Sequence, residues 1–127
     1  MTDVDVDSFA DLIGMEFTEV RPGYSRTTLP VTDQLTNPYG VLHGAAAYAM
    51  ADSGMGAAVF ADIEADEQCA TIELKISYLE AVTDGTLTCE TELIRRGRSV
   101  AFLESTISLD DEPVARATGS FSIFPKS

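Results

Sequence analysis

The sequence predicts an α+β fold in which one long central helix is wrapped by an antiparallel sheet of five or six strands. Three observations support this prediction: one apolar helical segment, alternation of apolar and polar residues in most of the remaining chain, and short turns between the alternating segments. The chain has 127 residues, 45% of them hydrophobic, which is enough for one core. Because no repeat, linker or low-complexity segment interrupts it, we expect a single domain over residues 1–127.

The first half of the chain is predicted to contain two helices and two strands. Ser8 is a residue type that caps helices, and Gly14 stops the short helix that it begins. The long helix, at a rise of 1.5 Å per residue, spans roughly 28 Å. The predicted elements are a helix at 8–13, strands at 15–20 and 24–31, a loop at 36–40 and a long helix from about residue 43 to residue 61.

The second half is predicted to consist of strands. Apolar residues alternate strictly with polar ones at 71–78, and the pattern repeats at 85–94; two further long strands are predicted at 100–109 and 113–124. The turns between them are short and contain Gly or Asp, at 83–85, 96–98 and 110–112. Three consecutive short turns predict an antiparallel meander with one face covered.

The long helix is apolar on nearly all sides, unlike helices that lie on protein surfaces. Its many Ala and Gly residues allow strands or another helix to approach closely. A chain of this size would not bury such a helix completely, so we expect a homodimer. Four larger side chains on it are candidates either for a substrate pocket or for the core: Tyr48, Met50, Met55 and Phe60.

The chain is strongly acidic. It has 8 Lys and Arg against 21 Asp and Glu, a formal net charge of −13. Nucleic-acid binding needs a basic face and an anionic membrane repels an acidic one, so we expect neither as a partner. Dispersed acidic residues with only two lysines, Lys75 and Lys126, fit a surface adapted to high salt. An acidic cytosolic protein without that adaptation is the alternative.

The cysteines and the apolar segments indicate a cytoplasmic protein without a metal. Cys69 and Cys89 are 20 residues apart and form no zinc-binding spacing with the one histidine, His43. We therefore expect small core residues in a reducing compartment. Residues 1–7 lack the apolar segment of a secretory signal, and 41–61 is too weakly hydrophobic to carry Asp52 across a membrane.

Asp52 is the main candidate for catalysis. It lies within the long helix among Ala, Gly and Met residues, where an ionised carboxylate is costly unless something pairs with it. We interpret it as a partly desolvated general base or nucleophile. A carboxylate that faces a patch of solvent, or that has a structural hydrogen bond, is the alternative.

The start of the long helix is a candidate site for a developing oxyanion. The first backbone N–H groups of a helix are unpaired and lie at its positive end. Gly44 has no Cβ, so a substrate carbonyl can approach its N–H closely. The alternative is that His43 and Gly44 only begin the helix and bind no ligand. Asn37 offers an amide that donates and accepts hydrogen bonds, but an asparagine before proline is also a common turn residue.

The spacing between these candidates predicts a site shared by two chains. Gly44 and Asp52 are eight residues apart, roughly 12 Å along one helix, so one small acyl carbonyl cannot touch both. If two helices lie antiparallel across a two-fold axis, Asp52 of one chain comes near Gly44 of the other. Such a dimer has two equivalent sites.

Three segments carry a family resemblance. They are Asn37-Pro38-Tyr39-Gly40-Val41-Leu42-His43-Gly44-Ala45, then Ala51-Asp52, and then Thr71-Ile72-Glu73-Leu74-Lys75-Ile76-Ser77-Tyr78-Leu79. Together they resemble the hotdog-fold acyl-CoA thioesterases of the phenylacetic-acid-degradation (PaaI-like) group. The resemblance covers roughly residues 10–124 and departs at Ala45, where the family usually has a second glycine.

The resemblance implies a hotdog fold and hydrolysis of acyl-CoA thioesters by a homodimer or a dimer of dimers, with no metal or redox cofactor. It implies that Asp52 activates the hydrolytic water or attacks the thioester, while the N–H of Gly44 holds the carbonyl oxygen. Asn37 would position the thioester or the water, and His43 would brace the loop by hydrogen bonding. Thr71, by itself only a polar position at the start of a strand, would orient the water or Asp52.

Arg95, Arg96 and Arg98 form the only basic cluster of the sequence, at a predicted turn. A guanidinium can bind phosphate with two parallel hydrogen bonds, so these residues are candidates for holding the phosphates of coenzyme A. Pairing with nearby acidic residues is the alternative.

Two rival functions remain. By resemblance, a hotdog dehydratase or hydratase needs a catalytic histidine in a different pattern. A non-catalytic acyl-CoA-binding module would not need Asp52.

Overall fold

The computed structural model describes residues 8–127, and the expectation of no secretory signal in residues 1–7 lies outside the described residues. The predicted α+β architecture is confirmed. The observed elements are α1 Ser8–Ile13, β1 Glu16–Arg21, β2 Tyr24–Pro30, a 3₁₀ turn Asp33–Leu35, α2 Gly44–Phe60, β3 Glu67–Tyr78, β4 Thr86–Arg96, β5 Val100–Leu109 and β6 Glu112–Pro125. No helix in this part of the chain is both long and apolar enough to cross a membrane.

The six strands form one sheet in the order β1-β2-β4-β5-β6-β3, with every neighbouring pair antiparallel. The predicted meander holds for β4, β5 and β6 but is wrong for β3, which pairs with β6 at the far edge. The segment 79–85 is too long for a tight hairpin, and its backbone is bonded to other elements: Val82 O accepts from Leu42 N, and Gly85 O accepts from Val31 N. The segment therefore runs from the β3 edge of the sheet, past the start of α2, to the position beside β2 where β4 begins.

Helix α2 packs on one face of the sheet and forms the centre of the core. Met50 and Met55 are fully buried, which assigns them to the core. The helix approaches the sheet closely at Gly54, whose carbonyl accepts a 2.7 Å hydrogen bond from Ser25 Oγ. A Cβ at Gly54 would lie 3.0 Å from Thr91 Oγ1, so a larger residue there would push the helix away from the sheet.

Strand β3 begins at Glu67, four residues earlier than the alternation predicts. Thr71 is therefore inside the strand and not at its start. The pairing of β3 with β6 shifts register between Thr71 and Glu73, which indicates a bulge. A bulge leaves one residue unpaired and redirects the side chains beside it, a feature often found next to functional sites.

Candidate active site

Asp52 and Thr71 are brought together by the packing of α2 against β3. Thr71 Oγ1 donates a 2.7 Å hydrogen bond to Asp52 Oδ1, and the aspartate side chain is half-buried. Among the described residues, Thr71 is the one hydrogen-bond partner of this carboxylate. One oxygen is thus oriented by the protein, while the other is free to accept a proton.

This pair lies in the wall of a mainly apolar cavity with a volume of about 640 Å³. Asp52 is the one charged residue in its described lining, beside the polar Ser53, Thr71 and Cys69. A carboxylate at the edge of an apolar cavity is less hydrated than one on an open surface, which suits a general base. The apolar part of the lining includes Phe17, Val20, Gly56, Ala57, Phe60 and Phe121.

The start of α2 is organised by His43, the N-cap residue. Its Nδ1 accepts a 2.9 Å hydrogen bond from the N–H of Ala45, so the ring acts as an acceptor at the helix terminus. The N–H of Gly44 has no acceptor among the described residues. His43 therefore satisfies one of the free N–H groups of the first turn and leaves that of Gly44 available to a ligand.

Tyr78 is a residue of this region that the sequence analysis missed. Its hydroxyl donates a 2.8 Å hydrogen bond to the carbonyl of Gly44, and a Cβ at Gly44 would lie 2.9 Å from the same hydroxyl. The pKa of Tyr78 is raised, mainly because the side chain is partly buried and to a smaller extent because of the electrostatic effect of the nearby Tyr48. The hydroxyl therefore remains a donor at neutral pH. A larger residue at position 44 would displace the Tyr78 ring from this contact. The alternating pattern of β3 predicted a strand residue here but gave no sign of the contact with Gly44.

Asn37 holds the loop that precedes α2. Its Oδ1 accepts hydrogen bonds from the N–H groups of Tyr39 and Val41, at 2.9 and 3.2 Å. Its own N–H also donates to the carbonyl of Val41, at 2.8 Å. The amide oxygen is therefore used within the loop, and the side-chain NH₂ is the group left to contact a ligand.

The protomer does not bring Asp52 and Gly44 together. Gly44, His43 and Tyr78 line a second cavity of about 410 Å³, whose lining shares no residue with that of the cavity at Asp52. This separation agrees with the rise of the helix over eight residues, roughly 12 Å.

The three arginines differ in their partners. Arg96 pairs with Asp62 at 3.2 Å and with Glu67 at 3.6 Å, so for this residue the structure favours pairing with nearby acids over phosphate binding. Arg95 lies with it at the end of β4, and Arg98 lies in the turn that follows. Neither Arg95 nor Arg98 has a side-chain partner in the part of the chain that the structure describes.

Both cysteines are free thiols. Cys89 is buried, and this burial raises its pKa to about 11. Burial also raises the pKa of Cys69, which lines the cavity beside Asp52. Over residues 8–127, no group of three or more His, Cys, Asp or Glu side chains is placed to hold a metal ion.

Comparisons with known proteins identify the superfamily and the fold. The family model of the thioesterase superfamily matches residues 39–115. The chain is 28% identical over 102 residues to the 1,4-dihydroxy-2-naphthoyl-CoA hydrolase of Listeria monocytogenes, a match that spans 80% of this chain and 83% of that protein.

Two solved structures show the same fold. Conserved protein PA5202 from Pseudomonas aeruginosa superposes with a TM-score of 0.89 at 30% identity, covering 94% of this chain and 95% of that one. A phenylacetic acid degradation-related protein from Ralstonia eutropha superposes with a TM-score of 0.86 at 30% identity, covering 92% and 90%. The expected hotdog fold is confirmed, and because the family model matches more than half of the sequence, the chain belongs to the thioesterase superfamily.

Proposed function

We propose that this protein hydrolyses acyl-CoA thioesters to a free acid and coenzyme A. The observation that carries the proposal is the hydrogen bond from Thr71 Oγ1 to Asp52 Oδ1 in the wall of an apolar cavity. It leaves one carboxylate oxygen free to take a proton from water. Membership of the thioesterase superfamily supports thioester hydrolysis, and one relative is named as the hydrolase of a CoA thioester.

In the proposed reaction the water oxygen adds to the thioester carbonyl carbon while Asp52 takes the water proton. The oxyanion that forms is stabilised by the N–H of Gly44, a free donor at the positive end of α2. The carbon–sulfur bond then breaks, and the leaving thiolate receives the proton from Asp52. Direct attack by the carboxylate is the alternative route. In that route Asp52 displaces the coenzyme A thiolate and forms a mixed anhydride, which water then hydrolyses. Hydroxylamine trapping of this anhydride identifies the covalent route, and so does ¹⁸O from labelled water in Asp52 after a single turnover if water attacks the aspartyl carbonyl.

The active unit in this proposal is a homodimer or a dimer of dimers. Asp52 and Gly44 are too far apart on one helix to serve one carbonyl, so each site combines Asp52 of one chain with Gly44 of the partner subunit. Edge strand β3 supports association, because its unpaired edge and its exposed apolar residues Ile72 and Tyr78 are suited to contact with a second chain.

We also infer that the chain belongs to the PaaI-like group, acts in the cytoplasm and functions in high salt. The motif around Asn37, Gly44 and Asp52 and the 30% identity to a phenylacetic acid degradation-related protein support the first inference. The net charge of −13 supports the last.

A panel of acyl-CoA substrates tests the proposal by measuring the release of free thiol. We expect turnover with at least one substrate, and Asp52→Asn should remove most of kcat while leaving the fold and ligand binding intact. Absence of thiol release with every substrate would reject the enzymatic function. A wild-type kcat in Asp52→Asn would reject the assignment of the base.

The two rival functions have weaker support. By resemblance, a hydratase needs a catalytic histidine in a different pattern, whereas His43 is the N-cap of α2 and its Nδ1 accepts the N–H of Ala45. A non-catalytic binding module has no use for an oriented carboxylate in its pocket. Binding of acyl-CoA without turnover would favour the module.

A further inference from the structure

We propose that the cavity beneath Asp52 receives the acyl group of the thioester, that it selects apolar acyl groups without a terminal charge, and that Gly56 sets the size it accepts. This inference rests on the proposed function and deepens it by naming a substrate class and the residue that limits it.

The cavity follows one face of α2. Asp52, Gly56 and Phe60 are spaced four residues apart, so they lie one above the other on the same side of the helix. At 1.5 Å per residue, Gly56 lies roughly 6 Å and Phe60 roughly 12 Å along the axis from Asp52. A group that extends from a carbonyl at Asp52 along this face meets Gly56 first and Phe60 last.

Gly56 is the residue at which the cavity can be narrowed without disturbing the fold. A Cβ there would meet only Phe121, at 3.7 Å, an ordinary van der Waals contact. Gly54, two residues earlier, would place a Cβ 3.0 Å from Thr91 and so serves the packing of the helix on the sheet. Packing within the protomer therefore does not explain a glycine at position 56, and a glycine within a helix costs about 1 kcal/mol relative to alanine.

The chemistry of the lining indicates the occupant. Beyond the Asp52 end, the walls are formed by Val20, Ala57, Phe60 and Phe121, and the described lining has no basic side chain to pair with a carboxylate. An acyl group with a terminal negative charge would lose its hydration there without compensation. The pantetheine arm of coenzyme A carries amides that need hydrogen-bond partners, and the side chains of Val20, Ala57, Phe60 and Phe121 offer none.

The first experiment compares acyl-CoA substrates of increasing length in the wild type, Gly56→Ala and Gly56→Val. In the wild type, kcat/KM should rise about fourfold per methylene until the cavity is full. Gly56→Val should lower kcat/KM by roughly 15- to 60-fold for the longest substrates, the equivalent of two or three displaced methylenes, and leave the shortest unaffected. Gly56→Ala should show a smaller shift in the same direction with an unchanged or higher Tm.

Matched substitutions and substrates provide the controls. Phe60→Ala should extend the preferred acyl length, whereas Phe9→Ala, a residue of similar exposure outside this cavity, should leave the profile unchanged. Butyryl-CoA should be hydrolysed at least tenfold more efficiently than succinyl-CoA, which has the same number of carbons and a terminal carboxylate.

A binding measurement separates this inference from the proposed function. Titration calorimetry should show that Gly56→Val lowers the affinity for S-hexyl-coenzyme A at least tenfold but leaves the affinity for free coenzyme A unchanged. An equal loss of affinity for the two ligands would place the pantetheine arm in the cavity and overturn the inference. Parallel length profiles in the wild type and Gly56→Val would overturn it too, while the proposed function would stand. If the wild type is inactive but Gly56→Val still lowers the affinity for S-hexyl-coenzyme A and not for free coenzyme A, the proposed function is rejected and the cavity assignment stands.

Discussion

Thr71 Oγ1 donates a 2.7 Å hydrogen bond to Asp52 Oδ1 and so joins strand β3 to helix α2 at the edge of the apolar cavity. The bond links residues 19 positions apart in the chain. It orients one carboxylate oxygen and leaves the second available for proton transfer.

Removal of the hydrogen bond between Thr71 and Asp52 should lower kcat strongly and change the free energy of unfolding little. A hydrogen bond to a charged group contributes about 1.5–3 kcal/mol, so we expect Thr71→Val to lower kcat by roughly 10- to 100-fold. Thr71→Ser should retain most of the activity, because it keeps the hydroxyl. Thr118→Val, at an exposed threonine of β6, is the matched control and should have wild-type kinetics. An unchanged kcat in Thr71→Val would contradict the role given to this bond.

A site shared between subunits should be restored by mixing two inactive variants. Asp52→Asn lacks the base, and Gly44→Val crowds the proposed oxyanion donor and displaces Tyr78, because its Cβ would lie 2.9 Å from the hydroxyl of Tyr78. Random mixing makes half of the dimers heterodimers, each with one intact site of two, so activity should recover to about a quarter of that of the wild type.

The two variants are refolded together, because heterodimers form only when the two chains assemble from one mixture. Each variant refolded alone is the control and should stay inactive. No recovery after co-refolding would mean that each site is contained in one chain.

The hydrogen bond from Tyr78 to the carbonyl of Gly44 should hold the oxyanion donor in place. A neutral hydrogen bond contributes about 0.5–1.5 kcal/mol, so Tyr78→Phe should lower kcat roughly threefold to tenfold with little change in KM. Tyr24→Phe removes a comparable hydroxyl contact, to Glu90 on the far sheet face, and should leave kcat unchanged. Equal effects of the two substitutions would indicate a general loss of stability.

Salt should lower the KM for acyl-CoA as its concentration rises from low to molar, until it also screens the phosphate contacts proposed for the arginines. The substrate and the protein, with a net charge of −13, are both anionic, and the Debye length falls from about 30 Å at 0.01 M to about 3 Å at 1 M. Initial rates against substrate concentration at several salt concentrations test this. A KM that rises steadily with salt from the lowest concentration would contradict it.

The free arginines should account for phosphate binding. Arg95→Gln and Arg98→Gln should each raise KM about tenfold, because each removes a charge-assisted hydrogen bond to phosphate. Arg96→Gln should leave KM close to the wild-type value and lower the free energy of unfolding by less than about 1 kcal/mol, since its ion pairs are partly exposed.

The buried thiol of Cys89 should make the fold less stable in alkali. Its pKa is about 11 in the folded state and 9.0 when unperturbed, so the unfolded chain loses the proton first as the pH rises. The free energy of unfolding should therefore fall between pH 9 and pH 11, by up to about 1.4 kcal/mol per pH unit from this group. Urea unfolding of the wild type and of Cys89→Ala at each pH isolates the contribution of this thiol. The free energy of unfolding of the variant should depend less on pH than that of the wild type.

Local patterns predicted most of the elements, because their causes are local. The long helix was predicted at about 43–61 and is observed at Gly44–Phe60, since its composition and the cap at His43 are both readable in the sequence. The turns after β4 and β5 were also placed correctly. The partner of β3 was predicted wrongly, because alternation identifies a strand but does not identify the strand beside it.

The sequence by itself determined the fold class, which follows from periodicity. It also singled out Asp52 as the candidate carboxylate, from the cost of an isolated charge, and it predicts a site shared by two chains, from the rise of a helix. Only the tertiary structure decided which side chains meet. It placed Thr71 on Asp52, Tyr78 on Gly44 and Arg96 on Asp62, and it opened the cavity beside Gly56. These contacts join residues far apart in the chain, so they depend on the strand order and on the seating of α2, which no local pattern encodes.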